Sequence, residues 1–265
     1  MNMIRRALRP ATAAAALALV IGMTSPAQAS EQDARNQLKA MSDYMAAQQN
    51  ISLGYDTVFE IVTKDHQKLQ IATSGTIELS RPDKIRTTRK AGFADTEMTY
   101  DGKTLSFLGK GANAYVQTPV SGNIDSLIDQ LRDRFKRQLP GADLLLANSY
   151  NELMAGVTDV KDLGSGVIGG TECDHFAFRA KETDWQIWIA QGPTPYPCRY
   201  VITSKTVDQA PQFTLQVREF KAGADVVPPS FTFAPPQGAK KLDANDLQAL
   251  KESSDLPDNY KIGGQ

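Results

Sequence analysis

The sequence is poor in the residues from which metal sites and hydrolytic active sites are built. Among 265 residues it has two cysteines, Cys173 and Cys198, and two histidines, His66 and His175. Only Cys173 and His175 are close in sequence, whereas a metal site needs three or four ligands. The hydrolase motifs G-x-S-x-G and H-E-x-x-H are both missing. The sequence therefore predicts no metal, no cofactor, no catalytic residue and no enzymatic activity; a perturbed acid–base pair in a cleft would overturn this interpretation.

Charge of neither sign is in excess. The chain has 29 lysines and arginines against 30 aspartates and glutamates, and a net charge of −1. Proteins that bind nucleic acid carry a basic surface that attracts phosphates. The balance of charge therefore predicts no nucleic-acid partner.

Long apolar runs are also missing, apart from one near the start, at residues 11–22. Arginines precede this run, and the small-residue sequence Ala27-Gln28-Ala29 follows it. This order is typical of a secretory signal peptide, and the run is too short to cross a bilayer. We expect export with cleavage after Ala29, which makes residues 1–29 a signal peptide. The residue directly after the cleavage site is not a cysteine, so we expect no lipid anchor.

The remaining sequence predicts one domain at residues 30–254 and a loose tail at 255–265, because no biased linker divides it. Apolar and polar residues alternate over about ten segments, which predicts antiparallel strands, starting with a long hairpin over 53–80 and ending with a short strand at 231–233. Strands and helices do not alternate along the chain. The predicted fold class is α+β, mainly antiparallel β, with a single large curved sheet that forms an unclosed half-barrel.

Helical periodicity appears in four places. An N-terminal helix is predicted at residues 30–49, and two mid-chain helices follow, one capped by Asn123 and one at 143–154. A short helix is predicted at 243–253. The apolar side chains of the mid-chain helices either pack on the sheet permanently or form a movable lid, and composition does not distinguish these two cases.

Residues 171–204 hold both tryptophans and both cysteines. Strand alternation places Phe176 and Phe178 on one face, and it places Trp185 and Trp188 on opposite faces of the next strand. A sheet with large apolar groups on both faces needs cover on both, or cover on one and a ligand on the other.

Two short motifs in this region have simple interpretations. In an exported chain Cys173 and Cys198 are expected to form a disulfide. In a three-strand meander they would lie about 9–10 Å apart, which is too far to bridge, so the proline-rich loop at 193–197 must fold back over the middle strand. A Cys/His site is the alternative. Residues 164–169 match G-x-G-x-x-G, but they precede a predicted strand rather than a helix, so we interpret the glycines as turns.

Three segments resemble the LolA/LolB-like superfamily of bacterial periplasmic lipoprotein carriers. Residues 75–86 (GTIELSRPDKIR) are similar to the family's strand–Arg-Pro–strand segment, and residues 100–105 (YDGKTL) to its D-G-K-x-L hairpin. Residues 231–238 (FTFAPPQG) are similar to its closing F-x-F-x-P-P-x-G. Residues 171–204 depart from the carriers and resemble instead a related family of predicted periplasmic proteins known only as a domain of unknown function.

The resemblance implies a periplasmic half-barrel around an apolar groove, with the mid-chain helices as a lid. It implies a hydrophobic ligand (a lipid, an acyl chain or a lipidated protein), transient membrane contact and a monomer. Arg81 matches the arginine that holds the carriers' lid shut; alternatively it only solvates a strand end. If the face that carries Phe176 is concave, the groove residues are Leu53, Phe59, Ile71, Ile77, Phe176, Phe178, Trp185 and Ile187, and the lid residues are Leu127, Leu131, Leu144 and Leu145.

A second interpretation is a protein-interaction or envelope-sensor module of the same fold, whose groove is filled by its own helices and whose partners are envelope proteins. A large apolar cavity favours the carrier. A tightly packed interior with an exposed apolar patch favours the module.

Overall fold

The computed structural model describes residues 31–133, 139–224, 226–227 and 230–243. The predicted signal peptide, the tail and nearly all of the predicted helix at 243–253 lie outside this part. The elements are the helix α1 (Glu31–Ala47), the strands β1 (Asn50–Val62), β2 (Lys68–Ser80), β3 (Lys84–Lys90), β4 (Asp95–Tyr100), β5 (Thr104–Gly109) and β6 (Ala114–Pro119), the helix α2 (Ile124–Asp133), a 3-10 helix (Ala142–Leu145), the helix α3 (Ser149–Met154), and the strands β7 (Asp159–Ile168), β8 (Thr171–Arg179), β9 (Thr183–Ala190), β10 (Pro197–Ser204), β11 (Gln212–Ala222) and β12 (Lys240–Leu242).

The strands form one twelve-stranded sheet in the order β12-β6-β5-β4-β3-β2-β1-β11-β10-β9-β8-β7. Two antiparallel meanders, β1 to β6 and β7 to β11, meet at the centre, where β1 pairs with β11. The short β12 is parallel to β6. The outermost strands, β12 and β7, do not pair with each other, so the described sheet does not close into a barrel. The predicted α+β fold with an unclosed half-barrel is confirmed.

Alternation along the strands gives the sheet two different faces. Residues paired across neighbouring strands lie on the same face, so the face that carries Leu53 in β1 can be followed to Phe176 in β8. We call it the inner face, and we call the face that carries Glu60 and Trp188 the outer face. The mid-chain helices (α2, the 3-10 helix and α3) connect β6, near one edge, to β7, at the other.

Helix α1 covers part of the inner face. Glu31 and Asp33 lie in its first turn, where their negative charges stabilise the positive end of the helix dipole. Its apolar side chains repeat with helical spacing and are buried, and the helix packs on β7, β9, α3 and the 3-10 helix. These buried apolar side chains are Ala34, Leu38, Met41 and Met45.

The prediction of one continuous helix at 143–154 is wrong. A 3-10 helix and α3 occupy this stretch, with Leu146 in an extended conformation between them. The N–H of Ala147 donates to both carboxylate oxygens of Asp125, at 3.2 and 3.3 Å. Because a side chain of α2 accepts this bond, the N–H needs no helical carbonyl and the helix is interrupted there.

The prediction of a strand at 231–233 is also wrong. These residues form no strand; Phe231 is buried, and the ring of Phe233 lies 5.3 Å from that of Tyr115. Pro235 and Pro236 follow and cannot donate to a ladder. The strand that closes this edge is β12, which is too short and too charged to show a period.

The two cysteines meet at the end of β9. Cys173 is opposite Ala190, the last residue of β9, and Cys198 lies at an irregularity in β10 between Pro197 and Arg199. Their Sγ atoms are 2.6 Å apart, and both thiols are free and buried. The sulfurs meet although β9 lies between the two strands, at the place where the pairing of β10 with β9 is irregular and the small Ala190 is opposite Cys173.

We expect Cys173 and Cys198 to be oxidised to a disulfide in protein isolated from the periplasm. The bond would close a loop between residues 25 apart, which stabilises a fold by about 3–4 kcal/mol. Alkylation under denaturing, non-reducing conditions followed by mass spectrometry checks the oxidation state. Urea unfolding of the wild type and of the double variant Cys173→Ser/Cys198→Ser measures the difference in the free energy of unfolding. Two alkylated cysteines in the unreduced protein would contradict the prediction.

A second prediction concerns Gly75 in β2. The Tyr55 side chain passes over Gly75, and its hydroxyl donates to the Thr88 carbonyl in β3 at 2.8 Å. Burial raises the pKa of Tyr55 to about 12, so the donor stays protonated. A Cβ at Gly75 would lie 2.0 Å from the Thr88 oxygen and 2.5 Å from the Tyr55 hydroxyl oxygen.

Gly75→Ala should therefore lower the free energy of unfolding by about 1–3 kcal/mol, the usual cost of overpacking. Gly92→Ala is the matched control, since a Cβ there meets nothing within 4 Å. Urea unfolding of both variants measures the difference. Equal stability of the two would show that Tyr55 moves aside at no cost.

Candidate functional site

The inner face and the helices over it form a single apolar core. Most residues predicted to line the groove lie in it, together with all four predicted lid residues, and Ile77 packs against it partly buried. The core also includes Leu38, Met41 and Met45 of α1, which the sequence did not assign to the groove although their helical spacing was visible. The predicted residues within the core are Leu53, Phe176, Phe178, Trp185, Ile187, Leu127, Leu131, Leu144 and Leu145.

Two predicted groove residues lie outside this core. Phe59 and Ile71 are cross-strand partners in β1 and β2, and Phe59 also pairs with Phe213 of β11. Phe59 is 42% exposed. Among the described residues, the apolar inner face therefore continues from this core to an end where Phe59 is exposed, which we call the mouth and define by Phe59, Ile71 and Phe213.

The floor of the covered part is aromatic. The rings of Phe178 and Trp185 stack with centroids 3.8 Å apart and planes 7° from parallel, and Tyr200 meets Trp185 edge-on at 5.7 Å. Burial raises the pKa of Tyr200, so its hydroxyl remains neutral. Stacked rings pack tightly, and this surface is therefore rigid and uncharged.

Arg81, at the end of β2, connects two parts of the helical cover. Its Nη2 donates to the carbonyl of Leu145 in the 3-10 helix at 2.9 Å and to that of Met45 in α1 at 3.4 Å. Burial lowers the pKa of Arg81, and the Asp125 carboxylate opposes this shift. Because its Nε is buried and has no hydrogen-bond partner in the described part of the chain, the guanidinium is not fully satisfied there.

The start of α2 is held to the sheet by polar contacts. Asn123 caps the helix by accepting from the N–H of Ser126 at 2.9 Å, which confirms the predicted cap. The hydroxyl of Tyr100 donates to the Gly122 carbonyl at 2.7 Å, and the N–H of Ile124 donates to the Pro82 carbonyl at 2.9 Å. The start of α2 is therefore fixed.

The mid-chain helices are also tied to one another. Arg132, in the last turn of α2, forms an ion pair with Asp143 in the 3-10 helix. Asp125, at the other end of α2, accepts from the N–H of Ala147. These contacts join α2 to the 3-10 helix and to the residue that leads into α3.

Two buried hydroxyls in the helical cover have no hydrogen-bond partner among the described residues. They are the Oγ atoms of Ser42 in α1 and Ser149 at the start of α3. An unsatisfied buried polar group costs about 1–3 kcal/mol. The packing of these helices is therefore less favourable than that of a fully apolar core.

Apolar side chains of the helices are buried over the covered part of the predicted groove. Two depressions of the described part have volumes of about 230 and 270 Å³, and neither is lined by a residue of the predicted groove or lid. The helices' own side chains fill the space above the floor. A ligand can enter only if these helices move.

The described residues include no cluster of three or more histidine, cysteine, aspartate or glutamate side chains that could hold a metal ion. No helix of the described part is long and apolar enough to cross a bilayer. The site is thus built from apolar packing and a few hydrogen bonds.

Comparison with solved structures finds similar folds at low sequence identity. An uncharacterised conserved protein from Thermus thermophilus is 12% identical, with 80% of this chain and 99% of that chain covered and a TM-score of 0.44. LprF from Mycobacterium bovis is 14% identical over 78% and 100%, with a TM-score of 0.47. A LolA superfamily protein from Nitrosomonas europaea is 12% identical over 73% and 94%, with a TM-score of 0.33.

Comparison by sequence is more specific. No curated protein matches the chain. A family model described as "Predicted periplasmic protein (DUF2092)" matches residues 34–244, which is most of the sequence and includes every strand and helix described except the first turn of α1. The chain therefore belongs to this family of predicted periplasmic proteins.

Proposed function

We propose that the protein is a periplasmic binding protein that carries or senses a hydrophobic ligand in the groove beneath its helices. The ligand is a lipid, an acyl chain or a lipidated protein. The observation that carries the proposal is the mouth: the apolar inner face continues from the covered core to Phe59, which is 42% exposed. An acyl chain that contacts the mouth can extend inwards by replacing the helices.

The energetics of this exchange favour such a role. Burying apolar surface contributes roughly 25 cal/mol per Å², and a ligand recovers this term when it lies between the floor and the displaced helices and keeps the apolar side chains of both covered. The net cost of opening is then set by polar contacts, chiefly Arg81 with Leu145 and Tyr100 with Gly122. Each is worth about 0.5–3 kcal/mol, so a modest ligand affinity is enough to displace them.

The first test is native mass spectrometry of the protein exported with its own signal and purified from the periplasm, followed by titration with a fluorescent fatty acid. We expect acyl species in the preparation and saturable uptake. Phe59→Asp should weaken uptake by about tenfold, since it places a charge at the mouth. Leu163→Asp is the control, because Leu163 is 48% exposed on β7, outside the core. A clean protein mass without uptake would refute the proposal.

The second test uses two variants with opposite expected effects. Arg81→Gln removes the charged bond to Leu145 and should lower stability by about 1–3 kcal/mol, while ligand affinity rises because the open form is more populated. Ser42→Ala removes an unsatisfied hydroxyl, so it should raise stability and weaken binding. Urea unfolding and fatty-acid titration measure both. An Arg81→Gln variant with lower stability but unchanged affinity would mean that Arg81 only solvates the end of β2.

The second candidate function is a protein-interaction or envelope-sensor module of the same fold. It is favoured by the packing of the helices' own side chains on the predicted groove, where they are buried in one apolar core. In that case Phe59 and its neighbours are the contact surface for an envelope protein. Absence of ligand in the first test would make this module the better account.

A further inference from the structure

The outer face carries a row of three side chains, on the opposite side of the sheet from the groove. His175, Trp188 and Arg199 are cross-strand neighbours on β8, β9 and β10. The rings of His175 and Trp188 stack with centroids 3.8 Å apart, and Cζ of Arg199 lies 5.5 Å from the Trp188 ring centroid. The indole therefore holds the guanidinium in place by a cation–π contact.

Arg199 has no anionic partner among the described residues. It forms no hydrogen bond or ion pair with the residues that the structure describes, and its Nε is shielded from water. A guanidinium has five N–H donors and binds carboxylate or phosphate through two of them at once. Arg218, on the same face, is by contrast paired with Asp56 at 2.7 Å. The Nη donors of Arg199, which no described residue engages, are thus left for a ligand.

A depression of about 270 Å³ lies beside Arg199, which lines it together with residues of β1, β2 and β11. This volume is slightly below the usual range for ligand pockets, about 300–1,000 Å³. It suits a unit the size of one sugar ring rather than a long chain. The other lining residues are Val58, Glu60, Gln70, Gln212 and Thr214.

The negative charge of the carboxylate in this depression is already balanced by a lysine. Glu60 is paired with Lys68 at 3.3 Å and accepts from the N–H of Gln212 at 2.9 Å and from the amide of Gln70 at 3.3 Å. Burial raises the pKa of Glu60, but these hydrogen bonds and the charge of Lys68 outweigh burial and lower the pKa, so Glu60 stays ionised. With Glu60 and Lys68 cancelling, Arg199 gives the depression a net positive charge.

Two side-chain oxygens complete the site. The amide nitrogens of Gln70 and Gln212 donate to Glu60 and Thr203, which leaves their oxygens as acceptors. We propose that this depression binds a hydroxyl-bearing oxyanion, such as a sugar acid or a sugar phosphate. Arg199 holds the oxyanion, and Gln70 and Gln212 accept from the hydroxyls.

The test is titration of the full chain with glucuronate, glucose 6-phosphate and glucose, followed by the NMR signal of the Trp188 indole and by calorimetry. We expect millimolar affinity for at least one anionic probe and at least tenfold weaker binding of glucose. Binding of one anionic probe alone identifies carboxylate or phosphate as the recognised group. Failure of both, or equal binding of glucose, overturns the proposal.

Matched variants separate this site from general charge effects. Arg199→Gln should weaken binding by about 10- to 100-fold, the loss expected for a charge-assisted hydrogen bond. Arg199→Lys should retain part of it, because lysine keeps the charge without the paired donors. Arg218→Gln should bind like the wild type. Equal losses in Arg199→Gln and Arg218→Gln, with both variants folded by circular dichroism, would refute a specific site.

Discussion

The apolar inner face is the constraint on which the rest of the structure depends. A β-sandwich covers such a face with a second sheet, but here all described strands belong to one sheet. Helices must therefore supply the cover. Leu38 and Met41 of α1, and Ile124 and Leu127 of α2, are among the most completely buried large side chains of the described residues. Because apolar contacts are not directional, they favour coverage without fixing where each helix sits.

Position is fixed by a few polar groups at the end of the sheet. Arg81 is the most important of these, because one side chain contacts both α1 and the 3-10 helix. Tyr100 and Asn123 fix the start of α2 close by. The cover is thus attached near one end of the strands, and the mouth lies towards the opposite ends of β1 and β11. This asymmetry is what a hinged cover requires.

The sequence predicted an element correctly where the hydrophobic pattern extended over many residues and depended only on local structure. The strand alternation of 53–80 and the apolar spacing of Ala34 to Met45 both predicted the observed elements. It failed where a distant group decided the local structure. The Asp125 carboxylate interrupts the helix expected at 143–154, and packing of Phe233 on Tyr115 replaces a predicted strand. Phe59 and Leu53 share a face and a period, so only the extent of the helices distinguishes the exposed one from the buried one.

The seam between β1 and β11 has a consequence for when the chain can fold. Glu60 and Gln212, which bond across this seam, are 152 residues apart, so the centre of the sheet cannot assemble until nearly the whole domain is available. Contacts between such distant residues form slowly. The topology itself therefore keeps the two meanders apart until β11, near the end of the domain, is available to join them.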